Sequence, residues 1–151
     1  MTGGEKLYSR MNALRGATAW DSVVGKIQTW FYGSYVKAPW CATTVCYCAN
    51  QVGLKLGKHD NVKDLMDACE NASKKGYGAF YKKDRLPTLK RGDILFWLWN
   101  GKTMYSTSSK HVNVCESANG LNVECLGGNQ SGKVKSTVYD RTFLYAVYRP
   151  W

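Results

Sequence analysis

The hydrophobic positions in the first third of the chain recur at helical spacing. Steps of three and four between apolar residues predict two short amphipathic helices within residues 5–31, and Asp21 or Ser22 can cap the second. The nearly uncharged run 41–52 places apolar residues on one face at steps of four, three and four. This pattern indicates a buried helix that stops before Gly53.

The spacing changes to that of strands in the second half. Residues 62–73 predict one more helix, and the basic stretch 74–90 is expected to be an exposed loop. Five short β-prone runs follow, at 93–99, 111–116, 121–126, 133–139 and 143–149. Asn-Gly pairs at 100–101 and 119–120 are turn signals, and the second predicts a hairpin. We therefore expect an α+β fold, with N-terminal helices packed on an antiparallel β-sheet in one domain over 1–151.

Charge and composition restrict the partners. The chain carries 21 Lys+Arg against 11 Asp+Glu, a net charge of +10, which favours an anionic partner such as nucleic acid, acidic lipid or an acidic wall polymer. The basic residues are scattered in short groups, so a solvated positive face is the alternative. Aromatic residues make up 13%, more than a core of this size needs, so some are expected to line a groove. No stretch is apolar enough to span a membrane or to serve as a signal-peptide core, and we expect synthesis in the cytoplasm.

The residues able to do chemistry reduce to a few. Six cysteines are expected to be mostly free thiols, and Cys41 differs from the others because it stands in the first turn of the buried helix. Free N–H groups there favour a thiolate, so we expect its pKa to fall. Of the two histidines, His59 lies in a polar loop, whereas His111 begins an apolar strand and is the better base. The spacing of Cys41, Cys46 and Cys48 is unlike that of a zinc site, and no metal or cofactor is expected.

A third group is needed to orient the imidazole. The downstream candidates are Glu116, Glu124, Asn129 and Asp140. If the 119–120 hairpin forms, the strand after it lies beside the His111 strand and brings Glu124 or Asn129 near the ring. Both alternatives stay open on the residues alone.

Four blocks in this order resemble the CHAP domain, a cysteine- and histidine-dependent amidohydrolase/peptidase family of the NlpC-like, papain-related group. The blocks are APWCATTVCYCANQVGL, KRGDILFW, KHVNVCES and LGGNQSGKV, which together span about residues 38–149. The resemblance implies a peptidoglycan hydrolase, either an endopeptidase or an N-acetylmuramoyl-L-alanine amidase, as in phage endolysins and bacterial autolysins. It implies that Cys41 is the nucleophile, His111 the general base and Asn129 the orienting residue.

The chain departs from the family pattern at two positions. Gly127 stands where many members have Glu, two residues before the Asn, and Lys110 stands where Gly often precedes the histidine. Trp40 and Tyr35 are expected to be groove walls that contact substrate. The expected partners are peptidoglycan and anionic wall polymers, reached by a monomer that acts on the cell wall without binding nucleic acid or inserting into a membrane.

Two other functions remain alternatives. A non-catalytic basic module for wall polymer or nucleic acid would explain the charge and the aromatic residues. A secreted antibacterial amidase effector would use the same chemistry in a different biological setting.

Overall fold

The computed structural model describes residues 1–99, 102–106 and 110–151, and within them the chain forms four α-helices and six strands. The helices are α1 (Gly3–Asn12), α2 (Ser22–Tyr32), α3 (Cys41–Gln51) and α4 (Val62–Lys74). The strands are β1 (Ala79–Lys82), β2 (Ile94–Leu98), β3 (Lys110–Asn119), β4 (Asn122–Gln130), β5 (Lys133–Asp140) and β6 (Leu144–Arg149). They form one antiparallel sheet in the order β1-β6-β2-β3-β4-β5. This arrangement confirms the predicted α+β class.

Polar side chains begin three of the helices. Thr2 forms a reciprocal capping box with Glu5 at α1, Asp21 accepts from the Val24 N–H at α2, and Asn61 does the same for α4. The structure thus confirms Asp21 as a cap. In contrast, α3 begins after Trp40, which provides no side-chain cap, so the first N–H groups of α3 are free to act on other groups.

Helix α3 is the central element of the helical layer. Its residues from Cys41 to Ala49 are all buried, and it packs against α1, α2, β3 and β4. The predicted buried helix is confirmed, because the uncharged sequence lets every side of it meet other elements. A second apolar cluster on the far face of the sheet includes Trp97 and Cys115. The sheet is therefore covered on both faces.

The prediction of a loop over 74–90 was wrong in part. Residues 79–82 form β1, an edge strand that pairs with β6 from Ala79↔Arg149 to Lys82↔Ala146. The paired residues lie 64 to 70 positions apart along the chain, so no local pattern indicates the pairing. The 119–120 hairpin is confirmed by the Asn119↔Asn122 pair, and the turn predicted at 100–101 lies outside the described residues. Among the described residues, no helix is long and apolar enough to cross a membrane.

Candidate active site

Cys41 is packed in a nearly closed site and does not line an open groove. Only 8% of its surface is exposed. Burial raises the pKa of its thiol, and the N–H groups of Val112, Ala42 and Cys41 itself lower it only in part. The expectation of a lowered pKa is therefore corrected. The helix start does supply N–H groups, but the packing that excludes water from them disfavours the thiolate more strongly.

The Val112 N–H also locates Cys41 relative to the predicted base. This group lies close enough to the Cys41 sulfur to affect its pKa, and Val112 directly follows His111 on β3. The start of α3 is therefore packed against the start of β3, 70 positions along the chain. Burial lowers the pKa of His111, and a hydrogen bond to Gln130 raises it less. At neutral pH the two groups are a thiol and a neutral imidazole.

Gln130 is the hydrogen-bond partner of the imidazole. Its Oε1 lies 3.2 Å from His111 Nε2, and its Nε2 donates to the backbone carbonyls of Cys125 (3.2 Å) and Lys135 (2.6 Å). Because Oε1 is an acceptor, His111 must donate from Nε2. The other ring nitrogen, Nδ1, is left with its lone pair.

The structure thus puts Gln130, and not the expected Asn129, beside His111. In a regular strand Asn129 would share the face of Cys125 and Gly127, which is the face of β3 that carries His111. However, the β4–β5 register shifts between Gly127 and Gln130, and Asn129 takes a left-handed conformation with φ 57°. This bulge moves the alternation by one residue, so Asn129 is exposed and Gln130 is buried.

Gly127 makes room for this arrangement. A Cβ at residue 127 would lie 2.7 Å from Gln130 Oε1 and 2.7 Å from Asn113 Cβ. The Gln130 amide therefore fills the space that a side chain at position 127 would occupy. The absence of the expected Glu at position 127 and the contact of Gln130 with His111 therefore belong to the same packing arrangement.

Two other candidates lie away from the imidazole. Glu124 pairs with Ser117, six residues from His111 along β3, which corresponds to about 20 Å of strand. His59 is half-buried in the segment after α3, and its Nε2 donates to the Leu56 carbonyl at 2.7 Å. Glu124 is thus excluded as the partner of His111 in this structure, and His59 has a local structural contact.

The two expected groove residues differ in accessibility. Trp40 is 1% exposed, and its ring lies against the backbone of β4 at Gly128, so it belongs to the core and does not form a groove wall. The expectation is corrected because α3 needs an apolar side chain where its first turn meets the sheet. Tyr35 is 46% exposed, with its hydroxyl donating to the Trp20 carbonyl at 2.6 Å, and it remains accessible.

Aromatic rings from other elements of the fold lie near the imidazole of His111. The Tyr139 ring centroid lies 5.9 Å from that of His111, and Trp97 and Trp99 lie 5.1 and 5.7 Å from Tyr139. Trp99 and Tyr139 are half-buried, so part of each ring faces solvent. Among the described residues, no group of three or more His, Cys, Asp or Glu side chains is placed to hold a metal ion.

Comparisons with known proteins identify similarity over the part of the chain that contains Cys41 and His111. A family model described as the CHAP domain matches residues 30–129, a segment that contains Cys41 and His111 and ends one residue before Gln130. The crystal structure of Ly7917 is similar, with a TM-score of 0.57 and 13% identity over 97% of this chain and 62% of that one. That likeness concerns the fold alone, and this chain spans about three-fifths of the length of Ly7917. A comparison with curated proteins finds no match.

Proposed function

The chain belongs to the CHAP domain family, and from this premise we propose that it hydrolyses an amide bond of bacterial peptidoglycan with Cys41 as the nucleophile. Members of the family are generally cysteine- and histidine-dependent amidohydrolases. One observation carries the proposal for this chain. The Cys41 sulfur lies beside the first residues of β3, where Gln130 engages His111 Nε2, while Nδ1 has no hydrogen-bond partner among the described residues.

The reaction is an acyl transfer in two stages. His111 Nδ1 takes the thiol proton as the Cys41 sulfur bonds to the scissile carbonyl carbon, and it then gives that proton to the departing amine as the C–N bond breaks. Water next loses a proton to Nδ1 and attacks the thioester, which releases the acid product and the thiol. We assign the oxyanion to the N–H groups at the start of α3, which no side chain caps.

The protonation states favour proton transfer during attack over a preformed ion pair. Burial raises the pKa of Cys41 and lowers that of His111, so both groups are neutral before substrate binds. A neutral imidazole is the form that accepts a proton. The thiol is therefore activated by His111 at the moment of reaction.

The net charge supports a wall substrate. A charge of +10 attracts the domain to anionic polymers that are bonded to or embedded in peptidoglycan. We extend the proposal to the setting of an endolysin, in which the protein is released onto the wall from inside the cell. Binding to walls before and after removal of their anionic polymers tests this role of charge, and we expect weaker binding after removal and at higher salt.

Alanine variants of the reacting pair test the chemistry. Cys41→Ala and His111→Ala should reduce the release of fragments from purified peptidoglycan by roughly three orders of magnitude or more. Cys48→Ala, a buried cysteine on the same helix, and His59→Ala are the matched controls and should keep the parent rate. Mass spectrometry of the fragments identifies the bond that is cut.

Binding measured in parallel separates the alternatives. We expect Cys41→Ala to sediment with insoluble peptidoglycan as the parent does, because the substitution removes chemistry and not surface charge. Cleavage by Cys41→Ala at the parent rate would refute the nucleophile. A parent protein that binds walls or nucleic acid and cleaves nothing would support the non-catalytic module.

A further inference from the structure

We propose that Asn113, with its amide held by Trp97, is a positioning residue that keeps the Gln130 oxygen directed at His111 and so leaves Nδ1 as the nitrogen that exchanges protons. The inference rests on the proposed function, because it takes His111 as the general base. It adds two residues, on β2 and β3, that reach His111 only through other side chains.

The orientation of the Asn113 amide follows from its contact with Trp97. The indole N–H of Trp97 lies 2.7 Å from Asn113 Oδ1, and both residues are fully buried. An indole nitrogen can only donate a hydrogen bond, so the oxygen of Asn113 must face it. The Nδ2 of Asn113 consequently faces the other way, where it lies 2.9 Å from Gln130 Oε1.

The orientation of Gln130 follows in turn. Its oxygen receives the Asn113 donor, and its nitrogen donates to two backbone carbonyls, those of Cys125 and Lys135. Rotating the Gln130 amide by 180° would place its N–H against the N–H of Asn113. It would also place its oxygen against the carbonyl oxygens of Cys125 and Lys135. Burying an amide with its donors and acceptors unpaired is costly, so the observed orientation is strongly favoured.

The last step concerns the imidazole. Gln130 Oε1 presents an acceptor 3.2 Å from His111 Nε2, which keeps the proton of the neutral ring on that nitrogen.

The strand register explains why Trp97, Asn113, Gln130 and His111 meet. Trp97 and His111 are directly paired across β2 and β3, Asn113 follows two residues later on the same face, and the β4 bulge turns Gln130 toward them.

Buried amides form hydrogen bonds in most folded proteins, so the network by itself also suits a purely structural role. The tautomer of His111 separates the two roles. We would measure the ring ¹⁵N and ¹H correlations of the full chain labelled on histidine, assigning the two rings with His59→Ala. In the parent above the His111 pKa we expect a single Nε2–H tautomer.

Variants of the network should change that signature. Gln130→Leu should give a mixture of tautomers and lower kcat by about two to four orders of magnitude, as expected when a catalytic histidine loses its orienting acceptor. Asn113→Leu should also give a mixture, with a fall in kcat of about 10- to 100-fold and little change in KM, because the reacting nitrogen is misplaced while the binding surface is kept. Trp97→Phe should move both readouts in the same direction by less.

A charged variant at position 130 tests whether the group beside Nε2 sets the pKa of His111. Gln130→Glu keeps an acceptor for Nε2 and adds a negative charge, which should raise the pKa of His111, although its second oxygen replaces the N–H that donates to the Cys125 and Lys135 carbonyls. The acid limb of the pH–rate profile should then shift to higher pH than in the parent. Trp99→Phe and Asn129→Gly, which keeps the left-handed backbone of the bulge, are the matched controls for tautomer and profile.

The outcomes separate this inference from the proposed function. A single Nε2–H tautomer and a parent pH profile in both Asn113→Leu and Trp97→Phe would overturn the positioning role, even if the parent cleaves peptidoglycan. Loss of the tautomer in these variants would support it, even if the parent proves inactive on peptidoglycan. If Asn113→Leu fails to fold, Trp97→Phe decides the question by the same two readouts.

Discussion

Gly128 is the point at which the sheet touches the first turn of α3, and a single methyl group there should displace Cys41. A Cβ at residue 128 would lie 2.6 Å from Thr44 Oγ1 and 3.0 Å from Trp40 Cε3. Trp40 directly precedes Cys41, and Thr44 follows it by three residues in the first turn of α3. Gly128→Ala therefore forces the part of the helix that carries the sulfur away from β4.

The size of the displacement sets the expected effect. Restoring an ordinary contact of 3.4 Å to Thr44 requires a movement of about 0.8 Å. Overpacking of a core costs about 1–3 kcal/mol, which for a chain of this length lowers Tm by roughly 2–12 °C. A misplacement of about 1 Å can cost about 100-fold in rate, so we expect kcat/KM to fall by about 10- to 100-fold.

Thermal unfolding and the clearing of purified peptidoglycan measure the two effects separately. Thr44→Ala in the Gly128→Ala background removes the Oγ1 that is in closest contact, and it should restore part of both Tm and activity. Thr44→Ala alone is the control; it loses the 2.6 Å hydrogen bond from Oγ1 to the Trp40 carbonyl and should cost about 0.5–1.5 kcal/mol, while the Thr44 N–H still bonds that carbonyl. Parent activity and Tm in Gly128→Ala, or no recovery in the double variant, would refute this account of how Cys41 is positioned.

Three further predictions follow from other parts of the structure. Gly92→Ala should lower Tm well below that of Gly16→Ala, because both glycines have φ near 95° but only a Cβ at Gly92 meets backbone, that of Gly4; equal melting temperatures would contradict it. The acid limb of the kcat/KM profile should lie below pH 6.5, since burial lowers the pKa of His111 and the neutral base persists to lower pH; a limb above 6.5 would count against it. Alkylation of Cys41 by iodoacetamide, followed by mass spectrometry, should be fastest above pH 9, because burial raises the pKa of the thiol above 9; labelling at pH 6 as rapid as at pH 10 would disprove this.

Local pattern was sufficient for much of the architecture. The apolar spacing of α3, the alternation in the later strands and the Asn119-Gly120 turn depend on residues within a few positions of each other, and the structure confirms all three. Edge strand β1 was missed, because four residues with a distant partner carry little local signal. Cys41 and His111 were singled out from their positions at the start of a helix and of a strand, and their catalytic roles stay predictions.

Tertiary structure decided what surrounds those two residues. The β4 bulge exchanges Asn129 for Gln130 beside His111, and strand alternation alone would have favoured Asn129. Burial reverses the expected pKa shift of Cys41 and places Trp40 in the core. The physical reason is common to all of these: hydrophobic periodicity is set by neighbours along the chain, whereas desolvation, register shifts and hydrogen-bond partners depend on groups that come together only when the sheet and α3 pack.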